Sequence, residues 1–222
     1  LHLAFKGRAI LADDMGLGKT VQAIAAAAVL HEAAGVRRVL VVAPTSLKTE
    51  WEEQIRKFTG LKYEILLGSR QQRTEVYRNT SAFFLIANYE QVVRDHDLIS
   101  ASFAPGLMIL DEAQRIKNWQ TKTARTLKRI NSRFVFVLTG TPIENRIDDI
   151  YSLSELIDPT LFGSLFRFNR RFYDFNEFGK ASGMRNLDEL HRALSGIMLR
   201  RRKDEIAEEL PERTDKNYFV EM

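Results

Sequence analysis

Lys19 and Thr20 follow the segment Asp13-Asp14-Met15-Gly16-Leu17-Gly18 and open an alanine-rich stretch; Asp111 and Glu112 follow a short apolar run, Gly106 to Leu110. These residue types suit polyphosphate chemistry. Backbone N–H groups at a helix N-terminus, with the positive end of the helix dipole behind them, attract phosphate oxygens. Gly16 and Gly18 let the main chain curl around phosphate where a β-carbon would intrude. An ammonium at position 19 reaches the outer phosphates of a nucleoside triphosphate, and the Thr20 hydroxyl suits Mg²⁺. Asp111, at a strand end, suits the Mg²⁺ shell, and Glu112 is placed to orient or deprotonate an attacking water. The strict pattern G-x-x-x-x-G-K-[ST] is not met, because Asp13 stands at its first glycine. Either motif alone is compatible with an ordinary helix start. The two in this order, each after an apolar run, point to nucleotide binding.

The elements that position these residues read as a parallel α/β arrangement over residues 1–150, where short apolar runs alternate with amphipathic stretches. Ile10–Leu11 ends the first strand. A helix over Thr20–Ala34 is stopped by Gly35. Val39–Ala43, Tyr63–Leu67, Phe83–Ala87, Leu107–Leu110 and Phe134–Leu138 read as further strands, several apolar throughout, as strands covered on both faces are. Between them, Trp51, Ile55 and Phe58 share one helix face, and Ser69-x-x-Gln72 is a capping box. Ligands of such sheets sit at the carboxyl ends of the strands, where each motif falls.

After Asp148 the character changes. Ile150, Leu153, Leu156 and Ile157 form a helical stripe, and aromatic and basic residues interleave from Phe162 to Phe172. Residues 151–200 therefore read as a helical protrusion, with Phe162, Phe166 and Phe172 on its buried side. Residues 176–186 read as a mobile polar loop, and Leu187–Met198 as a helix. Residues 201–222 read as a brace, with a helix over Lys203–Leu210 and a last strand near Asn217–Val220; Arg200-Arg201-Arg202-Lys203 either faces nucleic acid or braces the structure, and the apolar helix behind it favours the brace.

The chain has 222 residues, 45% of them hydrophobic, enough for one substantial core with an insertion. It contains no cysteine, which excludes disulfides and zinc–thiolate sites and fits an intracellular setting. No apolar run approaches the roughly 20 residues that cross a bilayer, so no membrane partner is expected, and no leader peptide is visible. The net charge of +4 is a mild basic bias compatible with nucleic acid.

Leu138-Thr139-Gly140-Thr141-Pro142 also follows an apolar run; alone it is an ordinary turn, though its hydroxyls can bond metal-site carboxylates and sense a terminal phosphate. Taken in order, GLGKT, APTSL, ANYE, DEAQ and LTGTP resemble the first motor lobe of a superfamily-two helicase-like ATPase. Ala12 to Thr20, Leu110 to Asn118, Leu138 to Asn145 and Leu199 to Lys203 resemble, more narrowly, the SWI/SNF-type (chromatin-remodeller-like) double-stranded DNA translocases. Asp13 is normal in that family. Gln114, where His is more frequent, resembles prokaryotic members.

The resemblance implies a RecA-like lobe with a helical protrusion, using ATP and Mg²⁺ to track along duplex DNA and shift DNA-bound proteins. It implies that residues 13–20 (Asp13, Asp14, Met15, Gly16, Leu17, Gly18, Lys19, Thr20) together with Asp111, Glu112 and Gln114 hold the nucleotide. Within that set Lys19, Asp111 and Glu112 are catalytic, and Thr20 and Asp111 hold the metal. Thr139, Gly140 and Thr141 would couple nucleotide state to DNA. Thr45, Ser46 and Lys48 (after Pro44), Asn88, Tyr89, Lys117 and Asn118 would contact the DNA backbone, contacts that position without specifying sequence. A second RecA-like lobe carrying further arginines is implied beyond residue 222, so turnover by this chain alone is expected below about 1 s⁻¹. The setting implied is nucleoid-associated cytoplasm for a prokaryotic protein and the nucleus for a eukaryotic one. A strand-separating DNA or RNA helicase lobe and a nucleotide-sensing docking module are the alternatives.

Overall fold

Every residue of Val39–Val42, Phe84–Ala87 and Leu107–Leu110 is buried, which is what a strand covered on both faces demands. The computed structural model describes residues 1–116, 118, 120–140, 147–177 and 180–205. Its strands are β1 (Arg8–Leu11), β2 (Val39–Val42), β3 (Tyr63–Ile65), β4 (Phe84–Ala87), β5 (Leu107–Leu110), β6 (Phe134–Leu138), β7 (Tyr173–Phe175), β8 (Ala181–Met184) and β9 (Met198–Leu199). The helices are α1 (His2–Lys6), α2 (Lys19–Ala34), α3 (Lys48–Phe58), α4 (Arg70–Asn79), α5 (Tyr89–Leu98), α6 (Lys122–Arg129), α7 (Ile147–Ile157), α8 (Leu165–Phe172) and α9 (Leu187–Ser195).

Seven strands form one parallel sheet in the order β3-β4-β2-β5-β6-β1-β9. Two apolar clusters cover its faces. One gathers Leu40, Val42, Leu85, Met108, Leu110 and Leu127 with the far end of α7; the other gathers Ile24, Ala27, Val41, Trp51, Ile55 and Phe136. Helix α2 is rich in alanine because it packs close to the sheet: Ala23 and Ala27 are fully buried. It ends on Gly35 at φ 68°, a left-handed cap that costs glycine little. The Ser69–Gln72 capping box is present at the start of α4, and a second joins Asn88 and Gln91 at the start of α5.

Helix α7 links the sheet to the third cluster, contributing Leu153 and Leu156 to one side and Ile150 and Tyr151 to the other. That cluster centres on Phe162, Phe168 and Phe172, whose rings meet at centroid distances of 5.0–5.7 Å. Each fully buried ring contributes about 2 kcal/mol.

Four local expectations are corrected. Phe166 is 69% exposed: α8 starts at Leu165, so Phe168 and Phe172 at i and i+4 define the buried face and Phe166 points away, under the Arg170 guanidinium. Phe58 is 50% exposed, the last residue of α3, with the Lys57 ammonium over its ring. Residues 176–186 are not simply a loop, because β7 and β8 pair antiparallel across that span. Helix α9 stops at Ser195, and Met198–Leu199 return to the sheet as β9 beside β1. The expected helix over Lys203–Leu210 and strand over Asn217–Val220 lie largely or wholly outside the described residues.

Candidate functional site: a cleft at the carboxyl edge of the sheet

The loop between β1 and α2 is built to wrap a ligand. Gly16 and Gly18 have φ of 86° and 68°, where a β-carbon is strained. Lys19 Nζ donates to the carbonyls of Asp13 (2.8 Å) and Asp14 (3.1 Å), so the ammonium is held over its own loop. The chain after β6 approaches closely: a β-carbon on Gly140 would lie 3.0 Å from Met15 Cγ and 3.2 Å from Lys19 Nζ.

The carboxylate of Asp13 turns the other way. It is fully buried and accepts from Arg201 N (3.0 Å), Arg201 Nε (3.2 Å) and Gln22 Nε2 (3.2 Å), and it is ion-paired with the Arg201 guanidinium. Asp14 Oδ2 accepts from Lys203 N at 3.1 Å. Both residues were expected at the nucleotide; their side chains instead anchor the segment after β9. Arg201 therefore braces, with the buried Asp13 answering its charge.

Across the cleft, Asp111 leaves the end of β5. Its Oδ2 accepts from Trp51 Nε1 at 2.7 Å, its Oδ1 from Glu112 N at 2.9 Å, and its backbone carbonyl from Tyr89 OH at 2.6 Å. Burial pushes the Asp111 carboxyl above the ordinary carboxylate range; the Trp51 and Glu112 N–H bonds oppose that rise, and the charges of Glu112 and Glu50 add to it. Glu112 sits at φ 48°, a left-handed conformation costing a non-glycine residue about 1–2 kcal/mol. Its Oε2 accepts from Gln114 Nε2 at 2.5 Å, and Gln114 Oε1 accepts from Thr139 Oγ1 at 3.2 Å. One amide thus ties the Glu112 carboxylate to the hydroxyl at the end of β6.

The two halves share a cleft of about 390 Å³, lined by Gly16, Gly18, Lys19 and Thr20 on one side and Asp111 and Glu112 on the other, with Glu50 and Gln54 of α3 at its wall. A buried carboxylate pushed toward neutrality beside two further carboxylates is a site that favours a cation. No cluster of three or more His, Cys, Asp or Glu suited to a metal exists among the described residues. Thr20 and Asp111 line the cleft together, a hydroxyl and a carboxylate of the kind Mg²⁺ takes beside water and phosphate oxygens.

The residues expected on DNA divide. Thr45 and Ser46 are exposed beyond β2, and Asn88 Nδ2 donates to Thr45 Oγ1 at 3.0 Å beyond β4. Asn118 is exposed too. Lys48 is a correction: it is 5% exposed, and its ammonium donates to Leu66 O (2.9 Å) and Gln91 Oε1 (2.7 Å), so it is committed internally. Desolvation, with the Arg73 charge nearby, lowers its pKa to about 8. Tyr89 is a second correction, 3% exposed and spent on the Asp111 carbonyl. Lys117 and Thr141 lie outside the described residues. Trp51 and Gln22 were not foreseen as site residues. Gln22 left one signal, a polar residue one turn after Lys19 in an alanine-rich helix.

A parallel sheet with a glycine-bearing loop and an acidic pair meeting at its carboxyl edge is a RecA-like arrangement, and the comparisons place it in the SWI2/SNF2 class. The chain belongs to the SNF2-related domain family, whose model it matches over residues 5–222. It is 35% identical over 219 residues to chromodomain-helicase-DNA-binding protein 1-like of Mus musculus, covering 93% of this chain and 23% of that protein. It is 36% identical over 222 residues to the chromatin-remodeling ATPase INO80 of Arabidopsis thaliana, covering 93% and 15%. The Sulfolobus solfataricus SWI2/SNF2 ATPase core in complex with dsDNA superposes with a TM-score of 0.78 at 32% identity, covering 92% of this chain and 43% of that one. The chain thus spans less than a quarter of these curated relatives. Relatives in a mouse and a plant stand beside one in Sulfolobus solfataricus, so the comparisons do not support the expected prokaryotic source. No helix among the described residues is long and apolar enough to cross a membrane.

Proposed function

We propose that this chain is the ATP-binding and ATP-hydrolysing lobe of a double-stranded DNA translocase that works with a second RecA-like lobe to move DNA-bound proteins. The observation that carries the reading is the shared cleft: Lys19 and Thr20 face Asp111 and Glu112 across one cavity. Lys19 and the backbone N–H groups of the phosphate loop bind and orient the polyphosphate. Thr20 and Asp111 would hold Mg²⁺, which when bound offsets charge on the outer phosphates. Glu112 orients the attacking water and accepts its proton, while Gln114 fixes the Glu112 carboxylate and carries its position to Thr139. Thr45, Ser46, Asn88 and Asn118 form the exposed polar rim suited to DNA phosphates, and Lys117, Gly140 and Thr141 belong to the same proposal by resemblance. The dsDNA-bound structure of the Sulfolobus relative supports duplex as the track.

Glu112→Gln keeps the shape of the site and removes the base. ATP binding should stay within about threefold while hydrolysis falls on the order of 10²–10⁴-fold. Lys19→Ala should weaken both. Wild-type turnover by Glu112→Gln would overturn the assignment.

A further inference from the structure

The segment after β9 is registered, rung by rung, on the strand and loop that hold the phosphates. Ile10 N donates to Ile197 O and Ala12 N to Leu199 O, each at 2.8 Å; Asp14 N then donates to Arg201 O at 3.1 Å. Lys203 N closes the series on Asp14 Oδ2. Side chains lock the register from beneath. Arg201 pairs with the buried Asp13, and Gln22 accepts from Arg201 Nη2 at 2.6 Å while donating to Leu17 O at 2.9 Å. A surface turn needs no such anchoring; the lock fixes where the next residues stand relative to Gly16.

What stands there is an ammonium. A β-carbon built on Gly16 would lie 3.6 Å from Lys203 Nζ and 3.7 Å from its Cε, so the Lys203 side chain lies against the phosphate loop where Gly16 has no side chain of its own. Gly16 also lines the cleft. Among the described residues the Lys203 ammonium has neither a hydrogen bond nor an ion pair, whereas Lys19 Nζ already contacts two carbonyls. A free cation on a flexible stem, held at the lip of a polyphosphate site by a buried ion pair, is placed to reach a ligand oxygen.

We propose that Lys203 is a second phosphate-binding cation of the cleft, supplied by the segment after β9 and positioned by the Arg201–Asp13 lock. Phosphate binding then acts directly on the path of the chain leaving the sheet, because the ligand and residues 199–203 share one contact. This rests on the nucleotide site described above and adds a residue to it.

The test measures competition of ATP, ADP and AMP against a fluorescent ATP analogue with Mg²⁺, on this chain and on Lys203→Ala, Lys203→Arg and Lys19→Ala. Alanine at 203 keeps the main-chain bond to Asp14 and removes only the ammonium. Loss of one charge-assisted contact should weaken ATP and ADP about five- to tenfold, leave AMP within about twofold and leave the melting temperature unchanged, with Lys203→Arg restoring most of the loss. Unchanged ATP affinity in Lys203→Ala alongside impaired Lys19→Ala overturns the role of Lys203 and leaves the phosphate loop standing. Equal weakening of ATP, ADP and AMP overturns it as well, since that marks a structural effect. Unimpaired Lys19→Ala would sink the nucleotide reading itself.

Discussion

Trp51→Phe separates two contributions at the acidic end of the cleft by their pH dependence. Trp51 is 1% exposed, and exchanging indole for phenyl leaves a gap costing about 1–2 kcal/mol at any pH. The variant also removes the N–H that donates to Asp111 Oδ2, a bond to a buried charged group that contributes about 1.5–3 kcal/mol. The Asp111 pKa is already raised by burial, and the Trp51 bond holds it down; without that bond it rises further. A carboxyl with a raised folded-state pKa costs no stability below the unfolded value, where both states are protonated. The cost grows as pH rises from there through the folded pKa, and is complete above it. The variant should therefore be less stable by about 2.5–5 kcal/mol near pH 7.5 and by little more than the cavity share near pH 4. Urea denaturation at both pH values, with unchanged slope, measures it. An equal loss at both would show that the bond to Asp111 contributes nothing to keeping that carboxylate ionised.

Gln114→Ala should lower kcat about tenfold or more while leaving ATP affinity within about twofold, because Glu112 loses the amide that holds it; steady-state kinetics with duplex DNA check this, and an unchanged kcat would remove Gln114 from the relay. Lys48 has a folded pKa of about 8, below the ordinary 10.5, so its buried charge costs stability below pH 8 and that cost is relieved as pH rises toward 10.5. The parent should gain about 2 kcal/mol relative to Lys48→Met between about pH 7 and pH 10, read by denaturation; a flat difference would place the ammonium in solvent.

The sheet was legible because β2, β4, β5 and β6 are continuous apolar runs, each ending on a motif residue. β9 was not, since two residues carry no periodicity and their pairing with β1 depends on a chain return from far away. The β7–β8 hairpin read as a loop because β8 is exposed throughout. In the cleft, Lys19, Thr20, Asp111 and Glu112 were legible from local spacing. Trp51 on Asp111 spans 60 residues and Arg201 on Asp13 spans 188, so neither leaves a local trace. Lys48 and Tyr89 were misplaced for the opposite reason: polar residues beside a surface motif look solvent-facing until the fold supplies Leu66, Gln91 and the Asp111 carbonyl as partners.

The most direct test of the nucleotide site is a crystal structure of this chain soaked with a non-hydrolysable ATP analogue and Mg²⁺. One nucleotide with Lys19 on its outer phosphates and one metal between Thr20 and Asp111 is the required result. An analogue bound elsewhere, or a metal at Asp111 with no phosphate against Lys19, would contradict it.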